Sequence, residues 1–278
     1  MNTRRRGLRT FIFGIAGAVA AAVVATPIAS AEPSRWQAVN ISDQSTLAYN
    51  QGLASTPPGT LHGRGYISIR PELALDGWTH IGDQDIYRGQ TYDAYENLDA
   101  GSKLYAITDA NGFLRRYVHR LTPGELANNS FVTVDPSGKF LVSGEWKVKK
   151  RLLVFPNPRA QRSGSDLPLV GQINFDKPLE NVQSCDFMTS TRLVCAADKP
   201  KQAVYSINLS EPLTPTSTTV SGTVSHEFDV PRRSACGGSY EVEGIDYNVA
   251  RRLLSVAVID PSPCILNTKV FRYTPSSR

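Results

Sequence analysis

The chain has 278 residues, 41% of them hydrophobic, with 18 prolines, 21 glycines and a formal net charge of +5. That composition builds a packed core and excludes a disordered or collagen-like chain. The charge suggests nucleic acid until its distribution is considered: four arginines and no acid lie within residues 1–31, and without them the remaining 247 residues carry only +1. Phosphate backbones are recognised by clustered excess base. The one basic cluster beyond residue 31, Lys147-Val148-Lys149-Lys150-Arg151, reads as a solvated turn between strands.

Residues 1–31 read as a secretory signal peptide. Arg4, Arg5, Arg6 and Arg9 form its positive start, residues 11–25 an apolar run, and Ala29-Ser30-Ala31 a small-residue cleavage site. Thr26 and Pro27 stop the apolar run short of the about 20 residues that span a bilayer, so the exported chain is expected to leave the membrane. Thr3-Arg4-Arg5-Arg6-Gly7-Leu8-Arg9 is similar to a twin-arginine signal, with Gly7 where an apolar residue is usual, so both Sec and Tat export stay open. Residues 32–278 are expected to form a single secreted, monomeric domain.

Beyond residue 32 almost no helical periodicity is present; short strand-like runs are split by Pro, Gly, Asp and Asn. In chain order, 51–55 and 65–70 form a partial group. Strands at 79–83, 90–95, 103–108 and 113–120 form a second, with Asp109-Ala110-Asn111-Gly112 turning between its last two. The third group comprises 131–134, 139–144, 151–155 and 169–175, with a type I turn at Asp135-Pro136-Ser137-Gly138. A fourth takes in 184–187, 192–197, 203–209 and 223–230, and a fifth 242–247, 252–259 and 269–273, one strand short. The groups start at Gln51, His80, Ser130, Ser184 and Glu243, at spacings of 29, 50, 54 and 59. Drifting groups of four strands predict an all-β fold, a β-propeller of five blades, with four as the second choice and a two-sheet sandwich as the alternative. The unassigned residues 36–47 are placed to complete the last group and close the ring.

Four cysteines in an exported chain imply two disulfides, in any of three pairings. Cys185 and Cys195 bracket nine residues that read as a hairpin, which favours Cys185–Cys195 and Cys236–Cys264. A zinc site, the competing reading, lacks C-x-x-C spacing and neighbouring histidines.

His80-Ile81-Gly82-Asp83, the stretch Asn129-Ser130-Phe131 … Asp135-Pro136-Ser137-Gly138 … Gly144-Glu145-Trp146, and Glu243-Gly244-Ile245-Asp246 resemble those of uncharacterised bacterial secreted proteins of β-propeller type. That resemblance implies a fold and no activity. More distantly, the Glu-Gly pair opening a blade resembles gluconolactonase-type propellers, which implies a glutamate binding a divalent metal in the central channel.

No G-x-S-x-G elbow, phosphate loop, H-E-x-x-H, dinucleotide fingerprint or EF-hand loop is present. A propeller can still assemble a site from several blades, because the first strands line the channel. Glu243, His80 and Asp83, with Gln51, are the candidates there. As oxygen and imidazole donors they suit a divalent cation such as calcium. Against this, Asp83 and Asp85 can cap turns, and Glu243 can pair with arginine or backbone. Trp78, Tyr87, Tyr92, Tyr95 and Trp146 are either stacking platforms on a rim or wedges between blades. Two functions follow. The first is a non-catalytic module binding a glycan or extracellular protein, with solvent-facing rim aromatics and no convergent acids in the channel. The second is a metal-dependent, lactonase-like hydrolase built on Glu243 and His80.

Overall fold

Branched and aromatic residues alternate with turn formers through the whole computed structural model, which describes residues 35–276 apart from 98 and 127–130. The signal peptide at 1–31, and Asn129 and Ser130 of the resembling motif, lie outside the described residues. Strand β1 (Trp36–Ser45) leads through one helical turn, α1 (Thr46–Tyr49), into the short hairpin β2 (Gly52–Ser55) and β3 (Leu61–Arg64). A second short helix, α2 (Pro71–Ala74), precedes a four-stranded meander of β4 (His80–Tyr87), β5 (Gln90–Asn97), β6 (Ser102–Thr108) and β7 (Leu114–Arg120). Next come β8 (Thr133–Val134), β9 (Phe140–Ser143), β10 (Val148–Pro156) and the 19-residue β11 (Gly171–Thr189). The first part of β11 pairs with β10, and the second with β12 (Arg192–Lys199), which is followed by β13 (Ala203–Leu209) and β14 (Val220–Asp229). The chain ends with β15 (Glu241–Asn248), β16 (Leu253–Ile259) and β17 (Asn267–Pro275).

These groups make a β-propeller. The leading strands pack around a ring: β2 lies between β15 and β4, β4 meets β8, β8 meets β11, and β11 returns to β15. Residues 36–47 do what the incomplete last group required: β1 runs antiparallel to β17, from Trp36 opposite Pro275 to Ser45 opposite Asn267. Two neighbouring groups are fused, because β14 also lies parallel to the start of β11, with Ile173 opposite Val220.

The core lies between adjacent sheets. Phe131, Leu152, Ile173, Leu193 and Ile207 fill one such layer, and Tyr92, Tyr105, Tyr117, Leu153 and Phe155 fill another. Each such side chain, fully buried, contributes about 1.5–3 kcal/mol. Tyr92 is buried in the second of these layers, and Trp78 and Tyr95 in a further cluster with Leu73, Ile81 and Leu104, so all three act as wedges rather than platforms; Tyr87 and Trp146 stay half-buried.

Two local expectations change. Residues 65–70 contain no strand: Tyr66–Ser68 is a 3-10 turn, because Pro71 starts α2 and leaves no partner for an extended segment, while the pairing strand lies earlier at β3. The basic run is not a solvated turn either. Only Lys147 turns, with φ of 66°, and Lys149 and Arg151 belong to β10, at 3.1 and 2.6 Å from the buried Glu145 carboxylate.

Cys185 and Cys195 face each other across β11 and β12 and are disulfide-bonded, and Cys236 is bonded to Cys264. Two disulfides fit an oxidising, extracellular setting. Among the described residues no helix is long and apolar enough to cross a membrane.

Candidate functional site

The leading strands carry their polar side chains in layers along the ring axis. At their N-terminal ends, Glu243 is buried beside Asp198 and Glu241; burial and the neighbouring Glu241, Asp198 and Asp83 charges push its carboxyl well above the usual range. Asp198 accepts from Val242 N at 2.9 Å and Gln183 Nε2 at 2.8 Å, and burial lifts it to about 6.

One step along the strands, Asp83 forms the waist. Its Oδ1 accepts from Leu53 N (2.6 Å) and Gln84 N (2.8 Å), and its Oδ2 from Ile245 N (3.2 Å) and the Ser184 hydroxyl. One carboxyl group thereby joins β2, β4, β11 and β15. Burial nevertheless raises its pKa well above the usual value. The strands approach closely enough here to require glycine: a Cβ on Gly244 would stand 2.7 Å from Leu53 N, and one on Gly52 would stand 2.5 Å from Asp83 Oδ1. The space beside Glu243 is therefore filled by the neighbouring strand.

The candidate metal residues meet in pairs. His80 is exposed, with Nε2 2.7 Å from Gln51 Oε1 and Nδ1 3.8 Å from Glu96. Asp83 and Glu243 sense each other's charge, but both Asp83 oxygens are engaged by main chain and Ser184. Among the described residues no three His, Cys, Asp or Glu side chains are placed to hold a metal ion.

A different set converges at the C-terminal ends of the leading strands. Asp85, Asp186 and Asp246 line one cavity of about 460 Å³, walled by Tyr87, Phe187 and Tyr247. Each lies two residues beyond a member of the waist: Asp83, Ser184 and Gly244 respectively. Asp85 accepts from Val134 N at 2.6 Å. Asp186 accepts from Phe187 N and Tyr247 N, both at 2.7 Å. The Thr133 hydroxyl has one proton to share between Asp85 at 3.3 Å and Asp186 at 3.2 Å. Asp246 Oδ1 takes Ser55 N (2.7 Å) and Ser55 Oγ (2.9 Å), while Oδ2 has no hydrogen-bond partner although the residue is only 6% exposed. Burial raises all three acids. Asp85 and Asp246 push Asp186 further, and Asp246 reaches about 7. The channel therefore does contain convergent acids, contrary to the expectation attached to a binding module. The sequence groups did not reveal this set, because the three aspartates fall at different offsets from His80, Ser184 and Glu243 and only the ring brings them into register.

A second polar cluster, between β6 and β7, also escaped sequence reading. Lys103, with no exposed surface, donates to Gly144 O at 3.0 Å and stands 3.1 Å from Glu125 Oε1. His119 Nε2 lies 2.9 Å from Glu125 Oε2, and its Nδ1 2.8 Å from Leu167 O. Burial alone would raise the Glu125 carboxyl, but His119, Lys103 and the Thr122 amide outweigh it and hold it at about 2.

No protein-family model matches the chain, and no curated protein does. Solved structures similar to it include the β-propeller domain of Cps50 (Swd1) from Myceliophteria thermophila, at 13% identity and TM-score 0.34, covering 65% of this chain and 56% of that one. A chain of the mitotic checkpoint complex matches at 13% identity and TM-score 0.39, covering 70% of this chain and 50% of that one. Hsv2 from Kluyveromyces lactis matches at 15% identity and TM-score 0.33, over 55% and 50%. The chain spans about half the length of these structures, which it matches over 56%, 50% and 50% of their residues.

Proposed function

We propose that residues 32–278, exported after removal of the leader at 1–31, act as a monomeric, non-catalytic binding module that takes an extracellular partner at the C-terminal mouth of the ring. The observation that carries this reading is the 460 Å³ cavity lined by Asp85, Asp186 and Asp246, of the size that receives a side chain or small ligand. A protein partner is favoured over a neutral glycan. The cavity lining carries three carboxyl groups and no lysine or arginine, and a neutral glycan has no charge to match them. The hydrolase reading draws no support from Asp83, whose oxygens accept from Leu53 N and the Ser184 hydroxyl, or from His80, which is paired with Gln51.

The test is a ligand-observed NMR screen of a fragment library against the wild-type protein and an Ala250→Trp variant. Ala250 is an exposed residue of the cavity wall, so the indole fills the mouth without touching the aspartates' hydrogen bonds. Fragments that bind wild type and are lost in the folded variant are expected. Binding that is indifferent to the substitution, or no binding at all, overturns the reading.

A further inference from the structure

We infer that the ligand group received at the mouth is an alkylammonium, its N–H donors directed at Asp85, Asp186 and Asp246 and its methylene chain lying along Tyr87, Phe187 and Tyr247. This rests on the reading of the mouth as a ligand site and adds the chemistry that the site selects.

The argument begins with charge. Three carboxyl groups from three strands line one cavity, and no lysine, arginine or histidine is among its lining residues. Arg88 and Arg159 lie over the Tyr87 ring, at 5.3 and 6.0 Å from its centroid. Arg272 acts on Asp246, but more weakly than burial does. Concave sites lined by one sign of charge concentrate the opposite ion. Carboxylates at low exposure are normally paired, and no ion pair joins these three, of which Asp246 is buried and Asp85 and Asp186 half-buried, to a cation among the described residues.

The orphan atom gives the direction. Asp246 Oδ2 is a buried acceptor without a donor, on a residue that lines the cavity, and leaving such an atom unsatisfied is costly. Asp85 Oδ2 and Asp186 Oδ1 each already accept a main-chain N–H and share the single Thr133 proton, so neither acid has a second full side-chain donor. The missing element is a group with several donors and a positive charge.

Geometry then selects among cations. A bare metal ion needs oxygens gathered at short coordination distances, and no such group of three exists among the described residues. A guanidinium presents its donors in one plane and pairs best with a single carboxylate. An ammonium carries three donors spread around one atom, which suits three acids reaching in from separate strands. The Phe187 and Tyr247 walls add favourable contact with a cation, and Tyr87, whose ring already carries Arg88 and Arg159, adds contact with its methylene stem.

A calorimetric titration of the purified protein at slightly alkaline pH tests this. The probes are cadaverine, the peptide acetyl-Gly-Lys-Gly-amide, the same peptide acetylated on the lysine side chain, and calcium chloride. Saturable binding of cadaverine or the lysyl peptide is expected, with loss on side-chain acetylation. Asp246→Asn is expected to weaken it by at least about tenfold, the usual effect of removing a charged hydrogen-bond partner. Ala250→Trp should abolish it, and Asp43→Asn, an acid paired with Lys269 away from the mouth, should leave it unchanged. Binding of cadaverine alone assigns the site to free amines, and tighter binding of the lysyl peptide assigns it to a protein side chain; both support the inference. Equal binding of the acetylated peptide, binding of calcium alone, or no amine binding to folded protein overturns it. If fragments still bind at the mouth in that event, the ammonium assignment fails while the binding-module reading stands; if nothing binds there, both fail.

Discussion

Two buried clusters of charge in this molecule are resolved in opposite ways. Between β6 and β7, Glu125 is enclosed with Lys103, His119 and the Thr122 amide, and its carboxyl is held at about 2. At the channel mouth, Asp85, Asp186 and Asp246 are enclosed with one another, and their proton affinities rise. The first cluster contains its own counter-charge and behaves as a structural staple. The second does not, and its compensation has to come from protons or from a ligand. Burial of a carboxyl is thus ambiguous by itself; the complement of donors around it decides whether the fold or a partner uses it.

The contrast can be broken most severely from the balanced side. Lys103→Met keeps the volume and leaves Glu125 short of a partner in the interior, so a loss of about 3 kcal/mol is expected in urea unfolding. A loss below 1 kcal/mol would mean that His119 and Thr122 suffice. The next effect is in pH. Asp198 and Asp246 have folded pKa values of about 6 and about 7 against an ordinary 3.8, so they take up protons on folding. Such groups stabilise the fold at low pH and lose that contribution as pH rises through the folded value. Glu125 acts in the opposite sense, but only as pH falls below its ordinary 4.5 towards about 2. The melting temperature is therefore expected to fall by roughly 5 °C between about pH 5 and about pH 8, and a flat or rising profile would contradict the raised proton affinities of Asp198 beside Glu243 and of Asp246 at the mouth. The smallest effect sharpens the contrast. Asp246→Asn keeps an oxygen for Ser55 and removes one charge, so unfolding at about pH 8 should shift by no more than about 1 kcal/mol, toward greater stability, with a flatter pH profile. A loss as large as that of Lys103→Met would show that the two clusters do the same work.

How far the sequence could be read depended on how local each feature is. Strands bounded by turn formers were legible: residues 203–209 coincide with β13, and 90–95 with most of β5. The hairpin spacing of Cys185 and Cys195 was enough to pair them. Residues 65–70 misled because Tyr66, Ile67 and Ile69 look like a buried run, yet Tyr66 and Ile67 are 61% and 70% exposed on a 3-10 turn. The basic run misled because Glu145, which neutralises Lys149 and Arg151, precedes it in sequence and says nothing of its own burial. Glu243 drew attention as a glutamate next to a glycine, but Gly244 admits the backbone of β2. The aspartates of the mouth lay beyond local reading, since only the ring brings residues 85, 186 and 246 together.

Closure of the ring by β1 sets an order on assembly. β1, the first of the described strands to leave the ribosome, pairs with the last of them, so it waits as an open edge until residues 267–275 have been made. Its outward side chains Val39 and Ile41 are 50% and 45% exposed even when paired, so that edge is adhesive throughout the wait. A chain cut short before β17 would strand two edges together, β1 and β16, and offer each molecule a place to insert the other's missing strand.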